Sequence, residues 1–402
     1  MVDTTEQGMG TQGAAKLADA VLEPYRGYGS KEGIVLLGRL FREPGFGRSL
    51  PANSLRRRLA DLVRRSLRRG IDHVTVEGRI HGATLRAETD SSGYFCFREP
   101  IPPAPSGDPW HELSLSVPAA GTDGPTAVGK VFIPPATARY VVISDIDDTV
   151  MFTGVVNKAA MMWRLFMRGA RSRVAFPGVA ALYQALHGGM SGTQGNPMLY
   201  VSRGPWAIYE VLDAFFNMHR IPVGPILFLR DWGLTLEHPL PRRAKDHKLA
   251  LIQRMLDLYD TLPFVLIGDS GQEDPEIYTG LVEEHPERVK AIYIRNVSHD
   301  ADRQEAIHAL AERVSAAGST LLLASDSYAM AEHAAKHGLI PEEALANVMT
   351  EKVVQDDTRH GGRTRTVDSA VEDGAVEEAL ELSTEGAEPP NVAVESERGG
   401  PS

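Results

Sequence analysis

The sequence predicts an α/β protein: a parallel sheet with helices on both faces, preceded by a small β-sandwich-like domain. Three observations lead there. From about residue 138 to 345, short apolar runs alternate with helical patterns, the rhythm of strands joined by crossover helices. The runs themselves are β-branched without polar breaks, as in strands buried on both faces. From about 31 to 137 the chain instead reads as short strands separated by Gly, Pro and Asp-Ser-Ser-Gly turns, the spacing of a small all-β unit.

In the first block the candidate strands are "GIVLLGRLF", "HVTVEGRI", "TLRAET", "GYFCFRE", "HELSLSV" and "VGKVFI". One segment breaks the series. "SLRRRLADLVRRSLRRG", residues 54–70, predicts a helix with Leu55, Leu59 and Leu62 on one face and seven arginines on the others.

In the second block the strands are "RYVVIS", "PMLYVS", "FVLIG", "KAIYI" and "TLLLA". Helical stretches such as "GVAALYQALH", "PWAIYEVLDAFFNMH", "HKLALIQRMLDLY" and "PEIYTGLVEEH" lie between them. In open sheets of this type, ligands bind beyond the carboxyl ends of the strands.

Residues 1–30 are polar and read as disordered, and residues 350–402 as a disordered acidic tail. The net charge of −11 argues against nucleic acid as a general partner of the chain. A single cysteine, Cys96, rules out an intramolecular disulfide and fits a reducing compartment. The start lacks a signal-peptide pattern, and no run of about 18 apolar residues exists to span a bilayer. The expected location is cytoplasmic, peripheral to a membrane at most.

Chemistry concentrates at the strand ends. "YVVISDIDDTV" finishes a buried strand with Asp145, Asp147, Asp148 and then Thr149. So much like charge at one tip is costly unless a cation relieves it. The second strand ends in Ser202, the third in Asp269 and Ser270 with Asp274 shortly after, and Lys248 falls in or near the first turn of a helix between them. Carboxylates from two strand tips make a hard oxygen site suited to Mg²⁺. With a hydroxyl and a lysine beside it, the natural substrate is a phosphoryl group. Each residue also has a plainer reading. Ser202 fits the start of the helix at Pro205, Asp274 an N-cap before Pro275, Lys248 a solvated helix position, and Asp148 a turn that binds backbone amides.

Asp145-x-Asp147-x-Thr149, Ser202, Lys248 and the "GDSGQED" of Gly268 to Asp274 resemble, in order, the four motifs of haloacid dehalogenase-type phosphatases. More narrowly, "SDIDDTV", "YVSRGPW", "GDSGQEDPEIY" and "AIYIRNV" resemble the catalytic domain of the actin-patch-type phosphatidate phosphatases, across roughly residues 138–340. The resemblance implies a Rossmann-like fold and a Mg²⁺-dependent reaction with an aspartyl-phosphate intermediate. It implies that Asp145 is the nucleophile and Asp147 the acid and base. Ser202 and Lys248 would bind the phosphoryl group, and Asp145, Asp147 (through its carbonyl), Asp269 and Asp274 would hold the metal. Relatives usually carry a small polar pair where this chain has Arg203-Gly204, which marks Arg203 as a candidate substrate contact.

Within a small insertion expected at about 153–195 lies "NKAAMMWRLFMRGARSR", residues 157–173, which predicts a helix. Met162, Trp163 and Phe166 interleave with Arg164 and Arg168 there. The resemblance implies that this insertion lies over the active site, where a basic, Met-rich segment would admit acyl chains at an anionic membrane surface; the plainer reading is a helix whose apolar side packs on its own domain. The arginine segment at 54–70 fits attraction to anionic lipid at about 1 kcal/mol per cation, contact with nucleic acid, or contact with the acidic tail. The functional expectation is hydrolysis of phosphatidate to diacylglycerol. Its alternatives are a phosphatase for another monoester, such as a nucleic-acid 3′ end or a phosphoprotein, and a non-catalytic lipid-binding scaffold.

Overall fold

Alternating burial organises the first half of the chain. The structure, a computed structural model, describes residues 17, 19–42, 68–102, 107–122, 124–150, 175–204, 206–228, 244–298 and 300–361. Its strands begin with β1 (Ala20–Pro24), β2 (Gly27–Ser30), β3 (Gly33–Arg42), β4 (Arg69–Gly70) and β5 (Thr75–Ile80). They continue with β6 (Ala83–Glu88), β7 (Tyr94–Glu99), β8 (Trp110–Ser116) and β9 (Thr126–Phe132). Along β3 every second residue is buried for most of its length, as period two requires of a strand with one face on a core. Ile34, Leu36 and Leu40 meet Val76, Phe95, Phe97, Leu113 and Val131 there. Burying side chains of this size stabilises by about 1.5–3 kcal/mol each.

Among the described residues these strands form one nine-stranded sheet in the order β1-β3-β2-β9-β8-β5-β6, with β4 and β7 also paired to β3. The unit starts earlier than its composition indicates. Residues 1–30 read as disordered, yet β1 and β2 lie within them because the long β3 supplies both with a partner. Local Gly and Pro content hides a pairing made with residues farther along the chain. The last residues of the helix expected over 54–70 are not helical: Arg69–Gly70 is strand, paired with Arg42 and Phe41. Residues 54–67 lie outside the described residues.

The second half contributes β10 (Val141–Asp145), β11 (Met198–Ser202), β12 (Ile226–Phe228), β13 (Phe264–Asp269), β14 (Val289–Arg295) and β15 (Leu321–Ala324). They pair in parallel in the order β12-β11-β10-β13-β14-β15. The helices are α1 (Val179–Gly188), α2 (Tyr209–Met218), α3 (Ala244–Leu258), α4 (Asp274–Glu284), α5 (Ala301–Ala316), α6 (Ser327–Lys336) and α7 (Ala344–Gly361). Successive strand residues point to opposite faces. Val142, Tyr200, Val265 and Tyr293 pack with α1, α2 and α6. Val141, Ile143, Leu199, Leu266 and Ile292 pack with α3, α4 and α5. The expected parallel sheet with a helical layer on each side is what forms.

Three expectations need correction here. Of the span read as an insertion, 153–195, the described part holds α1, which buries Val179, Leu182, Tyr183 and Leu186 against the sheet. A parallel pair such as β10 and β11 needs a crossover of this kind. Residues 151–174, with Met162, Trp163, Arg164, Phe166 and Arg168, lie outside the described residues. The chain after residue 350 is not all tail, since α7 runs on to Gly361. There Glu351 accepts from the Ala181 N–H (2.8 Å) and Gln355 from the Gly178 N–H (3.2 Å), satisfying donors at the start of α1 that have no partner within the helix. Finally, β12 is an edge strand of three residues, too short to show a period in sequence.

The two units pack together. Tyr25 stacks on Trp206 with ring centroids 4.3 Å apart, and the Arg26 N–H donates to Tyr209 Oη at 2.9 Å. Arg68 pairs with Glu210 at 3.1 Å, and Arg26 with Asp213. The β unit therefore braces the stretch that follows Ser202.

Candidate active site

The parallel register decides where polar residues gather. After β10 the chain moves to β11 and β12 on one side, then returns to β13, β14 and β15 on the other. The order reverses between β10 and β13, and a crevice opens beyond the carboxyl ends of strands at such a point. Asp145 ends β10 and Asp269 ends β13, while Ser202 ends β11 on the other flank. All three are buried.

Lys248 enters from α3 and is fully buried. Its Nζ donates to Asp145 Oδ1 at 2.7 Å and to Asp274 Oδ1 at 2.5 Å. The solvated reading of this lysine fails, because α3 lies on the sheet and turns that position inward. Burial pulls its pKa down, but Asp145 and Asp274 outweigh this and hold it well above the ordinary lysine value. Burial pushes the Asp145 carboxyl well up; Lys248 pulls against that, and Asp274, Asp147 and Asp269 add to it. Asp269 is raised to about 7, by burial first and then by Asp274.

Asp274 is the first residue of α4 and not its cap, a position held by Glu273. Its carboxylate is occupied elsewhere: Oδ1 meets Lys248, and Oδ2 accepts from the Asp269 N–H at 3.3 Å. Only glycine fits at 268. A Cβ there would stand 2.2 Å from Asp274 Oδ2.

Oxygens of Asp145, Asp269 and Asp274 lie within 4.8 Å of one another. Asp145 Oδ2 is buried with no hydrogen-bond partner among the described residues. Three buried carboxylates face one ammonium, and one acceptor is left over. The donors are all hard oxygens, a set that fits Mg²⁺, and a buried acceptor without a donor leaves the cluster one electropositive partner short.

Asp147 is half-buried at the rim, where the Arg203 N–H approaches its Oδ2 at 3.5 Å. Asp148 takes a left-handed φ of 56°, which aspartate tolerates better than most residues. Ser202 Oγ accepts from the Gly204 N–H at 3.1 Å. It thus caps the turn after β11, and a 3₁₀ turn over Trp206–Ile208 leads from there into α2 at Tyr209. A cleft of about 540 Å³ opens over this cluster, lined by Asp148, Arg203, Asp269, Gln272, Glu276 and Arg303. The Arg203 Nε is buried there without an acceptor among the described residues.

Three residues missed in the sequence support the site. Arg295, at the end of β14, donates from Nε to the Thr149 carbonyl (3.1 Å) and from a terminal nitrogen to Ser327 Oγ (2.9 Å). It thereby holds the turn that carries Asp147 and Thr149. The Thr149 hydroxyl itself is buried and has no partner among the described residues. Arg303 of α5 donates to the carbonyls of Ser270 (2.9 Å) and Gln272 (2.6 Å) and to the Glu276 carboxylate. Gln272 donates to Asp269 Oδ2 (2.6 Å) and to the Asp147 carbonyl (3.3 Å). Arg295 and Gln272 sit in quoted motifs, but spacing alone cannot show where a guanidinium or an amide points.

Fold and site together define an α/β domain whose switch point carries an acidic, lysine-bridged cleft. Residues 140–296 match the family described as "Phosphatidate phosphatase APP1, catalytic domain". The phosphatidate phosphatase APP1 of Saccharomyces cerevisiae is 30% identical over 190 residues, 46% of this chain and 31% of the yeast protein. An uncharacterized protein of Schizosaccharomyces pombe is 29% identical over 160 residues, 40% of this chain and 25% of its own length. The matches span about a third or less of those curated relatives. Among solved structures, a carbohydrate acetylesterase from Xanthomonas citri overlaps 71% of each chain at 11% identity, with a TM-score of 0.24. A likeness at that TM-score bears on neither fold nor function.

Proposed function

We propose that the chain is a Mg²⁺-dependent phosphatase that hydrolyses phosphatidate, or a similar lipid phosphate monoester, to its alcohol and inorganic phosphate. One observation carries the reading: buried Lys248 bridges Asp145 and Asp274 beside Asp269, at the switch point of a domain whose sequence matches phosphatidate phosphatase catalytic domains.

Asp145 is the nucleophile. Its Oδ1 is held by Lys248 and its Oδ2 has no partner among the described residues, so one oxygen is oriented and the other is available. The Asp145 Oδ2–phosphorus bond forms as the ester phosphorus–oxygen bond breaks, and Asp147 gives its proton to the departing alkoxide. Water then attacks phosphorus, losing a proton to Asp147, and Asp145 leaves as the carboxylate. The Ser202 hydroxyl donates to a phosphoryl oxygen, and Lys248 offsets charge as it builds. Asp145, Asp269, Asp274 and the Asp147 carbonyl would hold Mg²⁺, which supplies charge neutralisation for the phosphoryl group when bound. Arg203 faces the cleft as a second cationic contact for an anionic head group.

Access from a membrane is peripheral in this reading. No helix among the described residues is long and apolar enough to cross a bilayer. The basic, Met- and Trp-containing composition of 157–173 supports contact with an anionic surface. A phosphate-release screen tests the function, comparing phosphatidate in mixed micelles with soluble phosphate esters, with and without a chelator. Release from phosphatidate that stops with the chelator is expected. Faster release from a nucleic-acid 3′-phosphate or a phosphopeptide would move the assignment to that substrate, and no release from any ester would favour a binding role.

A further inference from the structure

The Gln272 side chain makes a contact that the proposed chemistry does not use. Its amide nitrogen lies between Asp269 Oδ2 (2.6 Å) and the Asp147 carbonyl (3.3 Å). The carbonyl can only accept, and an ionised Asp269 can only accept, so the nitrogen end of the amide must face them. These same two oxygens belong, with Asp145 and Asp274, to the hard donor set described above. Both N–H groups of Gln272 are thus directed at atoms that a divalent cation needs.

The other end of the amide is unsatisfied. Gln272 Oε1 is buried and has no hydrogen-bond partner among the described residues. A buried polar atom in this state is unusual and calls for a reason. It weakens the hold of the side chain in this position, because leaving relieves the orphaned oxygen. The backbone, in contrast, is fixed: Arg303 binds the Gln272 carbonyl at 2.6 Å and the Ser270 carbonyl at 2.9 Å. The side chain can therefore turn away without disturbing the loop that carries Asp269 and Asp274.

We infer that Gln272 is an internal placeholder for the divalent cation, a neutral donor that occupies the Asp147 and Asp269 oxygens until the metal displaces it. The inference rests on the metal reading above and deepens it. An ammonium in the same place would exclude the metal by charge; an amide yields to it. The placeholder's N–H groups satisfy the two oxygens when cation is scarce and set the affinity below what the carboxylates alone would give.

The test is Mg²⁺ binding by isothermal titration calorimetry on the full chain, with Gln272→Ala and Asp145→Asn alongside the unaltered protein. Thermal melting with and without Mg²⁺ provides a second readout. Gln272→Ala is expected to bind Mg²⁺ about tenfold more tightly, since no charge-assisted hydrogen bond must be broken first. Its cation-free form should melt lower, and the gain in melting temperature on adding Mg²⁺ should be larger than in the unaltered protein. Unchanged or weaker binding by Gln272→Ala would overturn the placeholder role, weaker binding pointing to Gln272 as a ligand. If neither protein binds Mg²⁺, the metal reading fails and the placeholder with it. Binding that survives in Asp145→Asn at full strength would place the cation elsewhere, again against both.

Discussion

Lys248 Nζ lies 2.7 Å from Asp145 Oδ1, although 103 residues separate the two in sequence. The contact joins the tip of β10 to α3 at the point where the strand order reverses. It also explains why a row of aspartates is tolerated at the end of a buried strand. Asp145 is paired, and Lys248 also takes Asp274, so one ammonium serves two buried carboxylates.

Removing that lysine charge should therefore be costly. Lys248→Met leaves Asp145 and Asp274 buried without their counter-ion, and breaking a buried pair in this way costs about 3–5 kcal/mol. Urea unfolding should show that loss, partly restored by Mg²⁺, and phosphate release should be abolished. A variant as stable and active as the unaltered protein would show that the pair has no role.

Gly268→Ala tests the packing behind the site. The added methyl would stand 2.2 Å from Asp274 Oδ2, so the carboxylate or the strand end must shift. Overpacking of this kind costs about 1–3 kcal/mol. The expected result is a lower melting temperature together with weaker Mg²⁺ binding. Equal Mg²⁺ affinity would mean that Asp274 does not contribute to the cation site.

Stability should respond to acid through His333. Burial first, then His337 and Lys336, lower its pKa from the ordinary value to about 4. Its ring nitrogens face Tyr293 Oη (3.2 Å) and Thr320 Oγ1 (3.1 Å), and it stacks on His337 at 3.9 Å. With the folded pKa below the unfolded one, the unfolded chain binds more protons between these values. The stabilisation is complete above about pH 6.5 and is lost as pH falls toward 4. His333→Asn should flatten the melting-temperature profile across that window. An unchanged slope would contradict this assignment.

Much of this architecture is visible in the sequence because it is carried by local pattern. Val141 to Ile143 are apolar without interruption, which reads directly as a strand buried on both faces, and the polar residues that end such strands fall at one sheet edge by geometry. Asp145, Ser202 and Asp269 were legible for that reason. Lys248 was legible as a motif residue through the resemblance and otherwise only as a position near a helix start; its burial depends on which face of α3 meets the sheet. Arg295, Gln272 and Arg303 act through single hydrogen bonds to distant carbonyls and carboxylates, and no periodicity records such contacts. The early strands β1 and β2 escaped because their partner is the later β3, while Ile226–Phe228 is too short to alternate. In the β unit, hydrogen bonds join the strands into one sheet among the described residues where short alternating strands had pointed to a small sandwich.

The most direct measurement of the central claim is phosphate release from phosphatidate by Asp145→Asn in the presence of Mg²⁺, with circular dichroism to show that the variant is folded. The amide cannot attack phosphorus as the carboxylate does, so release should fall by about a thousandfold or more. A folded Asp145→Asn protein that releases phosphate at the rate of the unaltered chain would contradict the account.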